Sequence, residues 1–440
     1  MLFISLRSDW TPKEDGPTYE KGSLLYVSAE TFLSHGKEAC DYSVLFAPTP
    51  RTALEYYSVT KNYVVLVTMD NVQSKMDFYQ IVDDSTQLKR VGGDSTPKIR
   101  SNSVSPVDAL ESDEFWFTTS GYTQPSTLFL ADASKSLNDN DNDNEDAYVI
   151  QKLKSLPPQY DSTDLEVQQR TAISKDGTEV PYFLIMKKGT KLNGKNPTLV
   201  YGYGGFEISM GPHYTATAGI AWLERGGVYV EAIIRGGGEF GPSWHQAALK
   251  ANRNKSYEDF IAVGEDVVQA NICQPSTMAI RGGSNGGLLM GNMYNMRPDL
   301  FGAIHSAVPL FDMQRYHKLL AGASWMGEYG DPDTDDWDNF LHKYSPYHNI
   351  DETNPKYPPM LVTTSTRDDR VHPGHARKLV KKIQDLGNDK DWPIYYYENI
   401  EGGHGGAADA KQSAFMTSLA YDFMFSTLVR NAEKIEKDKN

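Results

Sequence analysis

A single serine stands among four glycines in Ile280-Arg281-Gly282-Gly283-Ser284-Asn285-Gly286-Gly287. An apolar stretch over 277–280 precedes it, and a helical pattern over 287–296 follows. The pattern G-x-S-x-G between a strand and a helix is that of a nucleophile elbow. There a strained turn lifts the serine hydroxyl above the sheet, and glycines remove the Cβ atoms that would clash. The helix that follows points its free amides at the reacting oxygen. Two blander accounts fit the same residues: a glycine-rich turn that cradles a phosphate, and one that simply allows close packing.

A serine hydroxyl needs a base to take its proton, and the base needs a carboxylate to orient it. Of the ten histidines, His305, His317, His342 and His348 fall in helical or turn contexts that suit hydrogen-bonded structural residues. His404 differs. It lies in Glu401-Gly402-Gly403-His404-Gly405-Gly406, after the strand pattern 394–397 and before a long helical one. A loop histidine flanked by glycines can reach across the top of a sheet. For the carboxylate, a strand pattern over 360–364 runs directly into Arg367-Asp368-Asp369-Arg370-Val371. The chain order Ser284, Asp368, His404 is that of α/β-hydrolases. Pattern alone leaves Asp368 and Asp369 both open.

These residues need a scaffold, and the chain from about 166 onward supplies one. Residues 170–174 and 182–187 flank Lys175-Asp176-Gly177 as a hairpin. Buried-type strands follow at 198–201, 228–234, 277–280, 303–307, 360–364 and 394–397, separated by helical stretches at 256–271, 287–296, 373–386 and 407–429. Such alternation predicts an α/β domain over 166–440, a mainly parallel, doubly wound sheet covered on both faces. Ligands on such sheets bind beyond the carboxyl ends of the strands, where Ser284, Asp368 and His404 all fall. Residues 1–165 have a different texture, with short apolar or alternating segments at 24–28, 43–47, 63–69, 76–82, 114–119 and 127–131. Turn-rich spacers separate them, which predicts antiparallel strands in an incomplete β-propeller of about three blades, although no residue-level repeat marks the blades. The stretch 137–146, LNDNDNDNED, reads as a solvated acidic loop; it lacks the glycine and the final glutamate of a calcium loop.

Composition bounds the partners. A chain of 440 residues with 39% apolar and 23% charged side chains is that of a two-domain globular protein. A formal net charge of −15 argues against nucleic acid and against anionic membrane surfaces. No apolar run reaches the roughly 18 residues of a membrane span, and the apolar part of MLFISLRSDW is too short for a secretory segment. Cys40 and Cys273 are the only cysteines, which fits a reducing cytoplasm, with the periplasm as the alternative for a chain given without its signal, and speaks against a disulfide framework or a cysteine metal site. Neither a metal nor an organic cofactor is implied.

Further stretches join these residues: Tyr201-Gly202-Tyr203-Gly204-Gly205-Phe206, Ile234-Arg235-Gly236-Gly237-Gly238-Glu239-Phe240-Gly241, the elbow itself, Ser324-Trp325-Met326-Gly327-Glu328-Tyr329-Gly330, Lys343-Tyr344-Ser345-Pro346, Asp368-Asp369-Arg370-Val371 and the His404 loop. In this order, across about 167–430, they resemble the prolyl oligopeptidase family of serine peptidases. The resemblance implies an α/β-hydrolase fold with Ser284 as nucleophile, His404 as general base and Asp368 as its orienting carboxylate. It implies an oxyanion hole made by the Tyr203 hydroxyl and the Asn285 amide. It also implies a proline pocket in which Trp325 stacks on the ring, with Phe206, Leu310, Tyr329 and Val371 around it and Arg370 pairing with a substrate carbonyl or carboxylate. The expected substrates are short proline-containing peptides, cleaved on the carboxyl side of proline.

The departure from the family is at the amino end. About 165 residues stand where the family has a packing segment and a seven-bladed propeller. A ring of three blades does not close, so open strand edges are expected. Three accounts fit: part of a longer product, a short form with an open site, or a form completed by self-association through those edges. For function, the alternatives to a proline-specific peptidase are a hydrolase of other specificity, such as an esterase or basic-residue oligopeptidase, and a catalytically silent binding protein.

Overall fold

The computed structural model describes residues 1–82, 87–137, 148–386 and 392–437. The acidic stretch at 137–146 lies, but for its first residue, outside them. Two compact units emerge: one is residues 1–158 with 211–215 and 238–244, the other is 159–210, 216–237 and 245–440. The division falls between Pro158 and Gln159, where the sequence patterns suggested 165/166. The strand of residues 165–173 belongs with the hydrolase sheet it pairs into.

In the first unit three antiparallel sheets follow one another along the chain. They are β1 (Leu2–Ser5), β2 (Leu24–Val27) and β3 (Ser43–Phe46); then β4 (Thr52–Val59), β5 (Tyr63–Asp70), β6 (Gln73–Val82) and β7 (Gln87–Gly93); then β8 (Ser101–Pro106), β9 (Glu114–Gly121), β10 (Gln124–Asp132) and β11 (Val149–Ser155). A short helix, α1 (Ala29–His35), joins β2 to β3; it has no buried residue, so no apolar stripe announces it. Strand β5 is buried on both faces and therefore reads as an unbroken apolar run rather than an alternation. Val65 and Val67 meet Phe78, Phe115 and Phe117 in one core, while Val64 and Leu66 meet Leu24 and Leu45 in another. Sheets packed one after another on the two faces of a middle sheet, here β4 to β7, are arranged as the blades of an incomplete propeller.

The second unit is built on one eight-stranded sheet. Its strands are β12 (Leu165–Ile173), β13 (Glu179–Lys187), β14 (Thr198–Tyr201), β15 (Val228–Ala232), β16 (Met278–Gly283), β17 (Ala303–Ala307), β18 (Met360–Ser365) and β19 (Ile394–Asn399), in the spatial order β12-β13-β15-β14-β16-β17-β18-β19. Pairing is antiparallel for β12 with β13 and β13 with β15, and parallel from β15 onward. Four helices cover it: α2 (Asn254–Gln269), α3 (Asn285–Met296), α4 (Gly374–Asp385) and α5 (Ala410–Lys437). In α4 the buried residues Ala376, Leu379, Val380 and Ile383 recur at helical spacing, so one stripe faces the sheet. Val200, Ile280, Ile304 and Val362 share a core with α2, α3 and α4. Their chain neighbours Leu199, Ala279 and Leu361 are also buried, as are Tyr421, Met424 and Leu428 of α5. Strand neighbours point to opposite faces, so α5 covers the second face. Each fully buried leucine or methionine contributes about 1.5–3 kcal/mol. This is the α/β-hydrolase fold. No helix among the described residues is long and apolar enough to cross a membrane.

Candidate active site

Strand β16 ends at Gly283 and α3 begins at Asn285, so Ser284 is the whole connection. Its backbone takes φ +57° and ψ −116°, a strained conformation for a residue with a side chain. Its amide donates to the Ala307 carbonyl at 2.9 Å, which ties the turn to β17. The glycines have specific reasons. A Cβ on Gly282 would stand 2.4 Å from the Gly286 carbonyl oxygen, and one on Gly287 would stand 2.8 Å from Pro309 Cα. As the first residue of α3, Asn285 keeps its amide outside the helical ladder.

Asp368 follows β18, and its carboxylate is buried. Oδ1 accepts the amides of Arg370 and Val371, both at 2.9 Å. His404 Nδ1 donates to the same carboxylate, at 2.8 Å to Oδ2 and 2.9 Å to Oδ1. With the proton on Nδ1, the Nε2 lone pair is free to act as a base. Of the two aspartates that the sequence left open, Asp368 is therefore the one in contact with His404, while Asp369 is exposed. The His404 loop is tied at its base. The Ser365 hydroxyl donates to the Gly402 carbonyl. Asn399 Oδ1 accepts the amides of Glu401 and Gly402 at 2.9 and 3.0 Å, and its amide nitrogen donates to Gln412 of α5 at 2.8 Å.

Ser284 and His404 open onto one cavity of about 230 Å³, together with Tyr203, Phe206, Ile208, Leu310, Trp325, Tyr329 and Arg370. Its walls are aromatic. Phe206 stands edge-on to Trp325, with centroids 6.5 Å apart, and to Tyr329, at 5.6 Å. The Tyr329 hydroxyl donates to Asn285 Oδ1 at 2.8 Å, and burial raises its pKa well above the ordinary value. Burial likewise pushes the Tyr203 phenol up, against a smaller lowering from Arg253, Arg370 and a hydrogen bond with Ser284. A phenol kept protonated beside the serine is a ready donor for a developing oxyanion. Arg370 is exposed at the rim.

One expected lining residue is placed differently. Val371 is 2% exposed and packs in the main core; it meets the site through its amide on Asp368, and the cavity lining among the described residues does not include it. Conversely, Ile208, 48% exposed, lines the cavity and carries no motif that singles it out.

The sequence reading also passed over a charged group behind the Phe206 wall of the cavity. Glu328 Oε1 accepts the Phe206 amide at 2.9 Å and Arg253 Nη1 at 2.8 Å. Glu328 Oε2 faces His245 Nε2 at 2.8 Å. Glu328 lies inside SWMGEYG, where an acid between aromatic residues was the available signal; Arg253 had none. Arg235, within its own quoted motif, is structural: buried, it pairs with Asp259 at 2.6 Å and with Asp176 at 2.6 Å. Among the described residues, one grouping of metal-type side chains occurs, at His317, Asp331 and Asp333, and there Asp333 pairs with Lys318 at 2.7 Å.

Residues 213–429 match the prolyl oligopeptidase family model. An uncharacterized peptidase of Sinorhizobium fredii is 41% identical over 426 residues, which is 97% of this chain and 56% of that protein. A prolyl endopeptidase of Elizabethkingia meningoseptica is 37% identical over 300 residues, 68% of this chain and 40% of the relative. The solved structure of a post-proline cleaving enzyme from Rickettsia typhi superposes with a TM-score of 0.84 at 35% identity, over 97% of this chain and 58% of its own. The chain thus spans about half the length of the relatives it matches. By its elbow, its histidine loop and the likeness of its sequence and fold, the chain belongs to the prolyl oligopeptidase family.

Proposed function

We propose that the chain is a serine peptidase that cleaves short peptides on the carboxyl side of proline through an acyl-enzyme. The observation that carries this is His404, held by the buried Asp368, opening with Ser284 onto an aromatic cavity. His404 Nε2 takes the Ser284 proton as Oγ attacks the scissile carbonyl. The Tyr203 hydroxyl and the Asn285 amide receive the oxyanion, and each such donor supplies about 3–4 kcal/mol. His404 then protonates the leaving amine, and water releases the acyl group by the same steps. Proline suits the cavity because it is rigid, apolar and without an N–H to satisfy, and because Trp325 and Phe206 offer flat walls. Arg370 at the rim is placed to pair with a substrate carbonyl. The names of the Elizabethkingia and Rickettsia relatives support the same reading.

A pocket for a basic side chain is disfavoured by one observation: Glu328 is already engaged by Arg253 and His245. Two buried, free cysteines fit a cytoplasmic place of work.

The test is cleavage of a blocked Gly-Pro reporter by the chain beside Ser284→Ala, with parallel fluorophosphonate labelling. Loss of both signals in the variant supports the proposal. Labelling without Gly-Pro cleavage discards proline specificity and keeps the hydrolase. A folded chain with neither signal favours the binding-protein account.

A further inference from the structure

Phe206 and Glu207 are consecutive non-glycine residues in the left-handed region, with φ +57° and +55°. Residues with side chains rarely hold that conformation unless their surroundings impose it. Here three amides are fixed. Phe206 N–H donates to Glu328 Oε1 at 2.9 Å, Glu207 N–H to the Gly236 carbonyl at 3.1 Å, and Ile208 N–H to the Gly205 carbonyl at 3.1 Å. The first of these depends on a side chain, and that side chain is held in turn. Arg253, 1% exposed, donates to Glu328 Oε1 at 2.8 Å, to the Gly204 carbonyl at 2.8 Å and to Asn285 Oδ1. His245 bridges the remaining oxygen of Glu328, at 2.8 Å, to Glu207 Oε2, at 3.5 Å. The imidazole thus ties Glu328 to Glu207, a residue of the strained turn itself.

We propose that His245 and Glu328, backed by Arg253, are positioning residues that lock the turn carrying Phe206 and Ile208 into the cavity wall. None of the three lines the cavity, so they act through Phe206 and Ile208 rather than on the reacting atoms. The inference rests on the reading of that cavity as the substrate pocket.

The lock has a sign with pH. The charged groups facing the imidazole are Glu207 and Glu328, with Arg253 beyond Glu328 on its other oxygen. Burial works to lower the His245 pKa, but hydrogen bonds and charge from Glu207 and Glu328 outweigh it and push it up to about 9. Burial works to raise Glu328, yet His245 and Arg253 hold it below its ordinary value. A raised pKa means that the cationic bridge is complete below the ordinary value of 6.5 and is lost as pH rises through about 9. A neutral ring has one N–H for two carboxylates, so one arm of the bridge opens.

The experiment follows KM and kcat for the Gly-Pro reporter, together with fluorophosphonate labelling of Ser284, from neutral pH to about one unit above the 9 of His245. It uses the full chain and the variants His245→Gln and Glu207→Gln, with an NMR titration of the histidines. Expected for the wild type is a rise in KM of about tenfold across the alkaline step, with labelling on a plateau. His245→Gln has the high KM throughout and no step. Glu207→Gln, which removes one of the two carboxylates that face the imidazole, moves the step to lower pH. A merely structural role would not shift that step. The proposal is overturned if His245 titrates at its ordinary value, or if His245→Gln keeps the wild-type KM and its alkaline step. Should the wild type label but not cleave Gly-Pro, the proline reading fails separately. The lock is then judged by a fluorescence step of Trp325 at the His245 titration, taken as the difference from Trp325→Phe: a step upholds it and a flat trace overturns it.

Discussion

Asp368 Oδ1 serves two loops at once, accepting the Val371 amide of its own loop and the imidazole of His404 from another, both at 2.9 Å. The carboxylate is therefore fixed before it orients the histidine. Asp368→Asn keeps an oxygen for the two amides, so the fold is expected to persist. Its amide group, however, favours the wrong imidazole tautomer, and kcat falls by about 10⁴-fold. Circular dichroism beside reporter kinetics checks both halves.

Tyr203→Phe removes a hydroxyl and leaves the ring. If that hydroxyl receives the oxyanion, kcat drops by about 10²–10³-fold with KM little changed. A rise in KM with kcat unchanged would place Tyr203 in ground-state binding instead.

Trp325→Ala opens one wall of the cavity against Phe206. The expected result is a loss of about 10–100-fold in kcat/KM for a proline reporter, in line with the 1–3 kcal/mol of an apolar contact. An alanine reporter is expected to lose far less, and comparing the two separates a specificity wall from general damage.

Arg235 and Asp259 are 4% and 0% exposed and pair at 2.6 Å. Removing one charge strands the other, so Arg235→Leu is expected to destabilise the chain by about 3–5 kcal/mol. Urea unfolding followed by tryptophan fluorescence measures it.

Strand β11 is the outer strand of its sheet, and its edge carries exposed Lys152 and Lys154 beside Ile150 and Leu153. Lysines on an edge discourage pairing with another chain. Self-association through this edge is therefore expected to stay weak in the wild type and to grow when Lys152 and Lys154 are replaced by valine. Light scattering over a concentration series reads the outcome.

Much of the site was legible because its chemistry demands unusual local sequence. Gly282 and Gly287 mark Ser284 because side chains at those positions would collide with backbone. His404 stands out as a histidine in a glycine-rich loop, where a Cβ on Gly402 would stand 2.5 Å from the Gly406 carbonyl oxygen. The parallel strands were readable as apolar runs, and 198–201 and 303–307 coincide with β14 and β17. Several edge and outer strands left weaker traces. In β11 most residues are exposed and in β7 only Gly92 is buried, so neither pattern alternates clearly. The bridge of His245, Glu328 and Arg253 was not legible, because the residues are 75 positions or more apart from Glu328 and share no periodicity. Val371 illustrates the converse: its place in the motif is plain, but whether a side chain or an amide faces the site depends on the turn after Asp368.

The doubly buried strand β5 also bears on how the chain is made. Its first seven residues, YVVLVTM, combine high strand propensity with no charge and no proline, the composition of a segment that self-pairs when uncovered. Natively each face is hidden by a different neighbour, one supplied earlier in the chain and one later. During synthesis the second face has nothing to cover it until β8 and β9 have emerged. The interval between those events is when the protein is most exposed to aggregation, and when a chaperone that grips extended apolar chain would matter most.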